Sequence, residues 1–303
     1  MDKHNRIYWK IGLDITPETF IKADNYHIAE RCMLMQSYAF RAYGILPDTN
    51  FKISNRINHD IVFIDELYCR AITRNGHLID VQNDITFKEL NLRDLSRDKP
   101  SFVILNVDSF QPKAIGKEAL YAQASYTLEI TDIPENFGTG IPIMKILYDR
   151  RKRSMEVENN YIVPPVCLSA SRALVTKHKD ICNIIGIIID KLPPVDPIFI
   201  HVELLYIELK NYSFQEFPGE MILLLKKFCT LLKSYLKRLN RDDFDEMQVF
   251  LNDIYNHNDI LCIIQKGVAC LKTINQKIDE KPVEVEVVKE VPEPEPEPPL
   301  PVI

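Results

Sequence analysis

The chain has 303 residues, of which 46% are hydrophobic and 26% are charged, a composition typical of soluble globular proteins. Its net charge at pH 7 is −6, and residues 281–303 contribute six Glu against two Lys. This balance excludes the clustered positive field of a nucleic-acid-binding protein, and the longest apolar run, residues 184–189, is too short for the ~20-residue span of a membrane helix.

The first predicted element is a long helix that begins after a Thr-Pro pair. Thr16 is a suitable N-cap and Pro17 a suitable first helical residue, and the helix should run to about residue 41. Its apolar residues share one stripe, which predicts an amphipathic helix packed on a sheet. Before it, the single tryptophan, Trp9, precedes Gly12 in a segment that either packs on its own sheet or hooks a neighbouring subunit. We favour the protein's own core for Trp9 and for Phe20.

Residues 45–161 are dominated by short β-rich segments. Asn75-Gly76 is a strong hairpin signal, and the basic residues 150–153, flanked by acidic ones, are typical of a solvated hairpin tip. Many short strands without intervening helices predict a β-sandwich-like domain over residues 1–163 rather than a parallel α/β sheet. The predicted strands are residues 61–64, 67–73, 77–81, 102–107, 126–130 and 143–148.

The pattern becomes helical after Pro164-Pro165, which predicts an α-helical bundle over residues 164–280. Prolines at 193, 194, 197 and 218 divide this region into four or five helices with short connections. The clearest helix keeps apolar residues at helical spacing over nearly five turns. They are Met221, Leu224, Leu225, Phe228, Leu231, Leu232, Tyr235 and Leu239. Part of the apolar surface of the bundle could face other copies of the chain.

Residues 281–303 form the third predicted part, a disordered acidic Pro-rich tail. Its Pro-Glu alternation favours extended polyproline II. The preceding alternation of Val and Glu either stays solvated or adds as a strand to the sheet edge of another protein. The tail residues singled out for binding are Val283, Val285, Val287, Pro292, Pro294 and Pro296.

The sequence lacks the usual signatures of chemistry. Its seven cysteines are scattered without a C-x-x-C pair, as in reduced cytosolic proteins, and its seven histidines are isolated from zinc spacings. It has no Gly-rich phosphate loop and no G-x-S-x-G elbow. We therefore predict a protein that is not an enzyme, with no catalytic residue, no cofactor and no metal.

Several short motifs, in their order and spacing, resemble the TssK family, the trimeric baseplate subunits of type VI secretion systems. The resemblance covers residues 7–175, and the later part matches only in helical character. The motifs are a W-x-x-G turn at 9–12, a Pro helix start at 16–20, Tyr43-Gly44 after the helix, the hairpin at 75–80 and the Pro-Pro exit at 160–165. Thr19 stands where the family usually has His, which indicates a packing or capping role at that position.

The resemblance implies a structural function, a trimeric adaptor that links baseplate wedge subunits to the membrane complex. It implies a homotrimer in the cytoplasm, at the inner face of the cell envelope, with TssF and TssG as wedge partners. The candidate wedge or subunit interface comprises Trp9, Gly12, Pro17, Phe20 and Tyr43. Family members are usually longer, with a folded C-terminal domain that docks on the membrane complex. We expect the tail to replace that domain as a tether, without direct membrane insertion.

Two other classes remain open. A receptor- or glycan-binding module of a phage-tail-like particle would share the trimeric, β-rich design, and a pocket of exposed aromatic residues would favour it. An enzyme would require a deep pocket with paired carboxylates or a Cys-His contact.

Overall fold

The computed structural model describes residues 4–39, 43–47, 49–58, 60–83, 85–93, 95–115, 121–134, 138–239, 241 and 245–279. Helix and strand are both abundant, so the predicted α+β class is confirmed. Strands occupy the first half and helices the second, after an N-terminal helix, α1 (Pro17–Ala39).

Two antiparallel sheets form the β-rich part. The first contains β1 (Gly44–Ile45), β2 (Lys52–Asn58), β3 (Ile61–Ile72), β4 (Leu78–Gln82) and β5 (Leu90–Asn91), all paired with β3. The second contains β6 (Ser101–Ile115), β7 (Tyr121–Thr131), β8 (Gly140–Asp149) and β9 (Ser154–Val157) in the order β7-β6-β8-β9. One hydrophobic cluster draws buried side chains from both sheets, including Val62, Leu67, Ile79, Val103, Leu105 and Ile141. The sheets are therefore two layers around one core.

Most of the predicted strands lie where the structure has strands, but one strand was wrongly predicted as two. The segments 61–64 and 67–73 belong to one continuous strand, β3, whose partner β2 carries an irregularity at Ser54/Asn55 that absorbs the change of register. The Asn75-Gly76 hairpin joins β3 to β4, with Gly76 at a φ of 81°. Residues 150–153 form the exposed turn between β8 and β9, as predicted.

Five helices form the second part: α2 (Arg172–Asp190), α3 (Pro197–Lys210), α4 (Pro218–Arg238), α5 (Asp245–Asn252) and α6 (Ile260–Asp279). α2 contacts α3 and α6, and α4 contacts the same two helices, so these four form a closed ring with α3 diagonal to α6. The caps explain the boundaries, since Asp196 accepts a 2.9 Å hydrogen bond from the amide of Ile198 and prolines start α3 and α4. The stripe predicted on α4 is buried, except that Leu231 is half-buried and Leu239, beyond the helix end, is 37% exposed.

α1 begins where predicted, but the expectation that its apolar stripe packs on the sheet is wrong for much of its length. Ile21 is 54% exposed and Met35 37% exposed, while Ile28 and Cys32 are half-buried. The helix contacts the sheets mainly at β6. Most of the apolar surface of α1 is therefore not covered by other parts of the described chain.

A buried polar network, the sheet–bundle joint, connects the two parts. The Tyr43 hydroxyl donates to Asn258 Oδ1 at 2.7 Å, and the His257 ring nitrogen Nε2 lies 2.7 Å from the Tyr43 carbonyl oxygen. The Tyr255 hydroxyl lies 2.7 Å from His257 Nδ1. A neutral imidazole satisfies both contacts, donating to Tyr43 and accepting from Tyr255. Burial lowers the pKa of His257 to about 4, which outweighs the opposing effect of its hydrogen bond to Tyr43.

An ion-pair cluster forms the other half of the sheet–bundle joint. Lys145 of β8 lies 2.7 Å from Asp259, beside the first turn of α6, and 3.0 Å from Glu158. Burial opposes the charge on Lys145, but its hydrogen bonds to Asp259 and Glu158 prevail and raise its pKa. Tyr161 adds a 2.8 Å hydrogen bond to the carbonyl oxygen of Asn258. Two acidic partners thus compensate one buried cation, and one of them comes from the bundle.

We expect the stability of the chain to fall between pH 6.5 and pH 4. The unfolded chain protonates His257 near pH 6.5, whereas the folded chain binds that proton only near pH 4, so acid favours unfolding by about 2–3 kcal/mol at pH 4.5. Urea unfolding at pH 7 and pH 4.5 should show a smaller loss for His257→Gln than for the wild type. The exposed His201→Gln is the control and should keep the wild-type loss. Equal losses for the wild type and His257→Gln would contradict this expectation.

Two glycine substitutions should differ strongly although both residues have positive φ. Gly44 (φ 125°) lies against the backbone of Pro164, which a methyl group would overlap, while Gly12 (φ 85°) has open space around it. We expect Gly44→Ala to cost more than ~3 kcal/mol or to prevent folding, because the overlap adds to the ~1–2 kcal/mol of left-handed strain. Gly12→Ala should cost only the ~1–2 kcal/mol of left-handed strain, since no neighbouring atom crowds the added methyl group. A similar loss in both variants would show that the overlap at Gly44 is relieved at little cost.

Candidate functional site

Residues 4–16, the N-terminal arm, expose a series of apolar side chains. Trp9 is 52% exposed and Ile11 fully exposed, and Phe20 in the first turn of α1 is 58% exposed. The prediction that Trp9 and Phe20 belong to the core of the chain is therefore wrong. Trp9 lies in the arm, which forms no strand or helix, and Phe20 lies on a face of α1 that other parts of the described chain leave uncovered.

Local contacts nevertheless give the arm a defined shape. His4 stacks on Phe110 of β6 with ring centroids 4.3 Å apart. The W-x-x-G segment closes as a turn, in which the amide of Leu13 donates to the carbonyl of Lys10 at 3.2 Å. At the helix start, the Thr16 hydroxyl accepts a 3.3 Å hydrogen bond from the amide of Thr19, so the predicted N-cap is confirmed. The arm thus presents Trp9 from a turn that is attached at both ends.

A groove of about 660 Å³, the α1 groove, lies between α1 and the sheets. Aliphatic side chains from α1, β3, β4 and β7 line most of it: Ile21, Ile28, Met35, Ile72, Leu78 and Ala124. Several of these side chains are exposed, Leu78 to 50%. Together with the N-terminal arm, the groove forms a continuous apolar region at the start of the chain.

One Cys-His contact lies beside this groove. Cys32 Sγ is 3.5 Å from His77 Nδ1, which is also 3.1 Å from the Ser109 hydroxyl. Burial raises the pKa of Cys32 and lowers the pKa of His77. Both groups are therefore neutral near pH 7, and a neutral thiol is a poor nucleophile. The contact that would favour an enzyme is present, but its electrostatics oppose an activated cysteine.

The described residues hold no group of three or more His, Cys, Asp or Glu side chains that could bind a metal ion. Within the same residues, none of the helices has the length and apolarity needed to cross a membrane.

The five residues predicted for the wedge or subunit interface do not lie together. Trp9, Gly12, Pro17 and Phe20 are exposed on the arm and the first turn of α1. Tyr43 is 6% exposed and belongs to the sheet–bundle joint, where its hydroxyl and carbonyl are both hydrogen-bonded to the bundle. The family resemblance placed Tyr43 in the candidate interface, but the structure buries its side chain between the sheets and the bundle. The six predicted tether residues, in 283–296, lie outside the described residues.

A second apolar surface, which the sequence analysis did not single out, lies on the bundle. Ile200, Leu204 and Ile207 of α3 are 61%, 58% and 47% exposed. Between α3 and α4 runs a groove of about 730 Å³, the α3–α4 groove, lined by His201, Leu204, Leu205, Glu208, Leu223 and Lys227 among others. The sequence did carry a signal, because α3 has more apolar positions than one buried face requires.

The described part of the chain is thus a two-layer β unit that a buried polar network joins to a helical ring. Both parts expose apolar surfaces, and neither groove has an activated catalytic group among its described residues. These features define an α+β fold whose exposed apolar surfaces are suited to protein contacts.

Solved structures of TssK share this fold, so the resemblance seen in the sequence is confirmed at the level of fold. A crystal structure of TssK superposes with a TM-score of 0.59 at 12% identity, covering 90% of this chain and 69% of that one. TssK of the EAEC type VI secretion system, solved with a nanobody, gives 0.60 at 13% identity, covering 84% and 68%. A chain of the TssK-TssF-TssG baseplate subcomplex gives 0.57 at 14% identity, covering 90% and 99%.

By sequence, no protein family matches the chain. No curated protein matches it either.

Proposed function

We propose that this chain is a structural baseplate component of a type VI secretion system, a trimeric adaptor located in the cytoplasm at the inner face of the envelope. The observation that carries the proposal is the fold, which is shared with TssK over 84–90% of the chain. The neighbouring structures are baseplate proteins rather than enzymes, and a non-enzymatic role fits the neutral state of Cys32 and His77. The motifs at residues 9–20 provide independent support from the sequence.

The proposed wedge-binding surface is the N-terminal arm with the first turn of α1. Trp9 and Phe20 are large apolar side chains that remain exposed, and such residues are typical anchors of protein interfaces. Gly12 allows the turn in the arm, and Pro17 fixes the direction in which α1 begins. The partners proposed for this surface are TssF and TssG, which form a baseplate subcomplex with TssK, and a chain of that subcomplex shares the fold of this protein.

A homotrimer is proposed from the same fold likeness. Outside the α3–α4 groove, Val195, Ile200 and Ile207 of the bundle are 93%, 61% and 47% exposed. Self-association would remove this apolar surface from water and so provide a favourable free energy. The division into parts at 1–163, 164–280 and 281–303 is proposed on the same basis.

The contact with the membrane complex is proposed for the C-terminal side of the chain. The matched region spans about two thirds of TssK in two of the solved structures. Residues 281–303 follow α6 in the sequence, and their Pro-Glu sequence favours an extended tether over a packed domain.

A second candidate function is a receptor- or glycan-binding module, which the exposed aromatic residues Tyr8, Trp9 and Phe20 favour. Sugar rings usually bind on aromatic surfaces within a concave site. The α1 groove is instead lined mainly by aliphatic side chains, and those aromatic residues are not among its lining. This geometry favours the baseplate role over glycan binding.

Replacing Trp9 and Phe20 by Ala should weaken binding to TssF and TssG at least tenfold. Each truncation removes an exposed apolar anchor, and tenfold corresponds to about 1.4 kcal/mol. The thermal midpoint should stay unchanged because both side chains lie outside the cores. Co-purification with the co-expressed wedge subunits measures binding, and light scattering measures the trimer mass.

Ile254→Ala, at a bundle side chain that is 86% exposed, is the matched control and should bind normally. Unchanged binding of the double variant would exclude this surface, and failure of the wild type to bind would refute the baseplate proposal.

Deleting residues 281–303 should abolish co-purification with the membrane complex, while the trimer mass and wedge binding are retained. The reason is that both hydrophobic cores are already formed by residues that precede the deleted segment. Replacing the tail by a Gly-Ser sequence of equal length controls for chain length. Membrane-complex binding that survives the deletion would refute the tether.

A further inference from the structure

The α3–α4 groove has an apolar floor and a rim of mixed charge, and it is open in the single chain. Leu204 and Leu205 of α3 and Leu223 of α4 line it, together with the charged side chains of Glu208 and Lys227. Leu204 and Leu223 remain 58% and 49% exposed. We propose that the Val-Glu segment of the same chain, residues 283–287, docks in this groove. The proposal does not depend on the baseplate role, and no part of it needs a wedge or membrane partner.

The end of α6 lies at the correct end of the bundle for this docking. Asp279 pairs with Lys191, at the end of α2, at 2.5 Å, and Asp196, which caps α3, pairs with Arg238, in the last turn of α4, at 2.8 Å. α3 therefore begins and α4 and α6 end at one end of the ring. A chain that continues from Asp279 leaves the bundle where the α3–α4 groove begins.

The length of the connection agrees with the size of the ring. α6 and α3 are diagonal, and neighbouring helices pack ~8–10 Å apart, so the diagonal is about 13 Å. Residues 280–283 span about 13 Å when extended, at ~3.3 Å per residue. Residues 284–287 then cover about 13 Å more. The groove residues from His201 to Glu208 extend over about 10 Å of α3, at 1.5 Å per residue. The segment is therefore long enough to reach the groove and to fill it.

The side chains of the segment complement the groove. In an extended chain, alternate side chains point to opposite sides, so Val283, Val285 and Val287 share one face and Glu284 and Glu286 the other. The valines can bury against the leucines of the groove. The glutamates remain in water within reach of basic side chains on the exposed side of α4, among them Lys227 and Lys237. A segment of uniform polarity would not satisfy both requirements.

Hydrogen exchange of the full-length chain tests the tail side of the contact. Replacing all three valines by Ser should speed exchange of the α3 amides about fivefold or more, because undocking exposes that helix. The matched control replaces Pro292, Pro294 and Pro296 by Ser and should leave exchange unchanged. Exchange in α2 serves as the internal reference. Equal α3 exchange in the wild type and the valine variant would overturn the proposal.

Limited trypsin digestion tests the groove side. The Lys289–Glu290 bond lies just beyond the proposed docked segment, and Lys281 precedes Pro and is not cut. Leu204→Glu places a charge in the groove and should speed cleavage after Lys289 about fivefold or more, since protease access follows the open population. Ile254→Glu, outside the groove, is the control and should cleave at the wild-type rate. Cleavage unaffected by Leu204→Glu overturns the proposal. A second result would also overturn the proposal: slow hydrogen exchange of the α3 amides that is kept in the valine variant but lost when the protein is diluted. That result would assign the groove to a second copy of the chain.

Discussion

The structure depends on one constraint, the neutrality of a buried histidine between its two halves. His257 must donate to the Tyr43 carbonyl and accept from Tyr255, and a single neutral tautomer satisfies both. Beside it, Lys145 remains charged because Asp259 and Glu158 compensate it. An uncompensated group here would cost several kcal/mol, so the halves can meet in only one arrangement. The joint therefore sets how the β-rich part and the bundle lie relative to each other.

Local signals in the sequence predicted much of the fold. Thr16-Pro17, Asn75-Gly76 and the prolines between the helices act within a few residues, and the structure has a cap, a hairpin and breaks at these places. The sequence patterns did not predict burial correctly where it depends on residues far away in the sequence. Trp9 and Phe20 have the composition of core residues, yet no sheet face covers them. Tyr43 looked like a surface residue near a helix end, but its partner Asn258 is 215 positions away. No local pattern encodes such a pairing.

The candidate surfaces share a physical origin. α1 and α3 each carry more apolar surface than the chain can cover, since α1 contacts the sheets mainly at β6 and α3 packs only on its two neighbours in the ring. The sequence indicated the α1 region through Trp9 and Gly12. For the α3–α4 groove it carried only an excess of apolar positions on α3, which does not show whether that helix is fully buried until its neighbours are known. A protein that assembles with others can retain such surfaces, whereas an isolated monomer would be exposed to aggregation.

The sequence separation within the sheet–bundle joint has a consequence for synthesis. Tyr43 leaves the ribosome early, and the groups that satisfy its hydroxyl and carbonyl, on Asn258 and His257, are made more than 200 residues later. At ~5–20 residues per second, this interval lasts at least about 10 s. During that time Gly44 and Ile45 can already pair with β3, and Arg74 can donate to the Tyr43 hydroxyl, but the bundle partners of that hydroxyl and of the Tyr43 carbonyl do not yet exist. Completion of the joint therefore distinguishes a finished chain from a truncated one, and quality-control proteases that recognise exposed strands would act on the truncated chain.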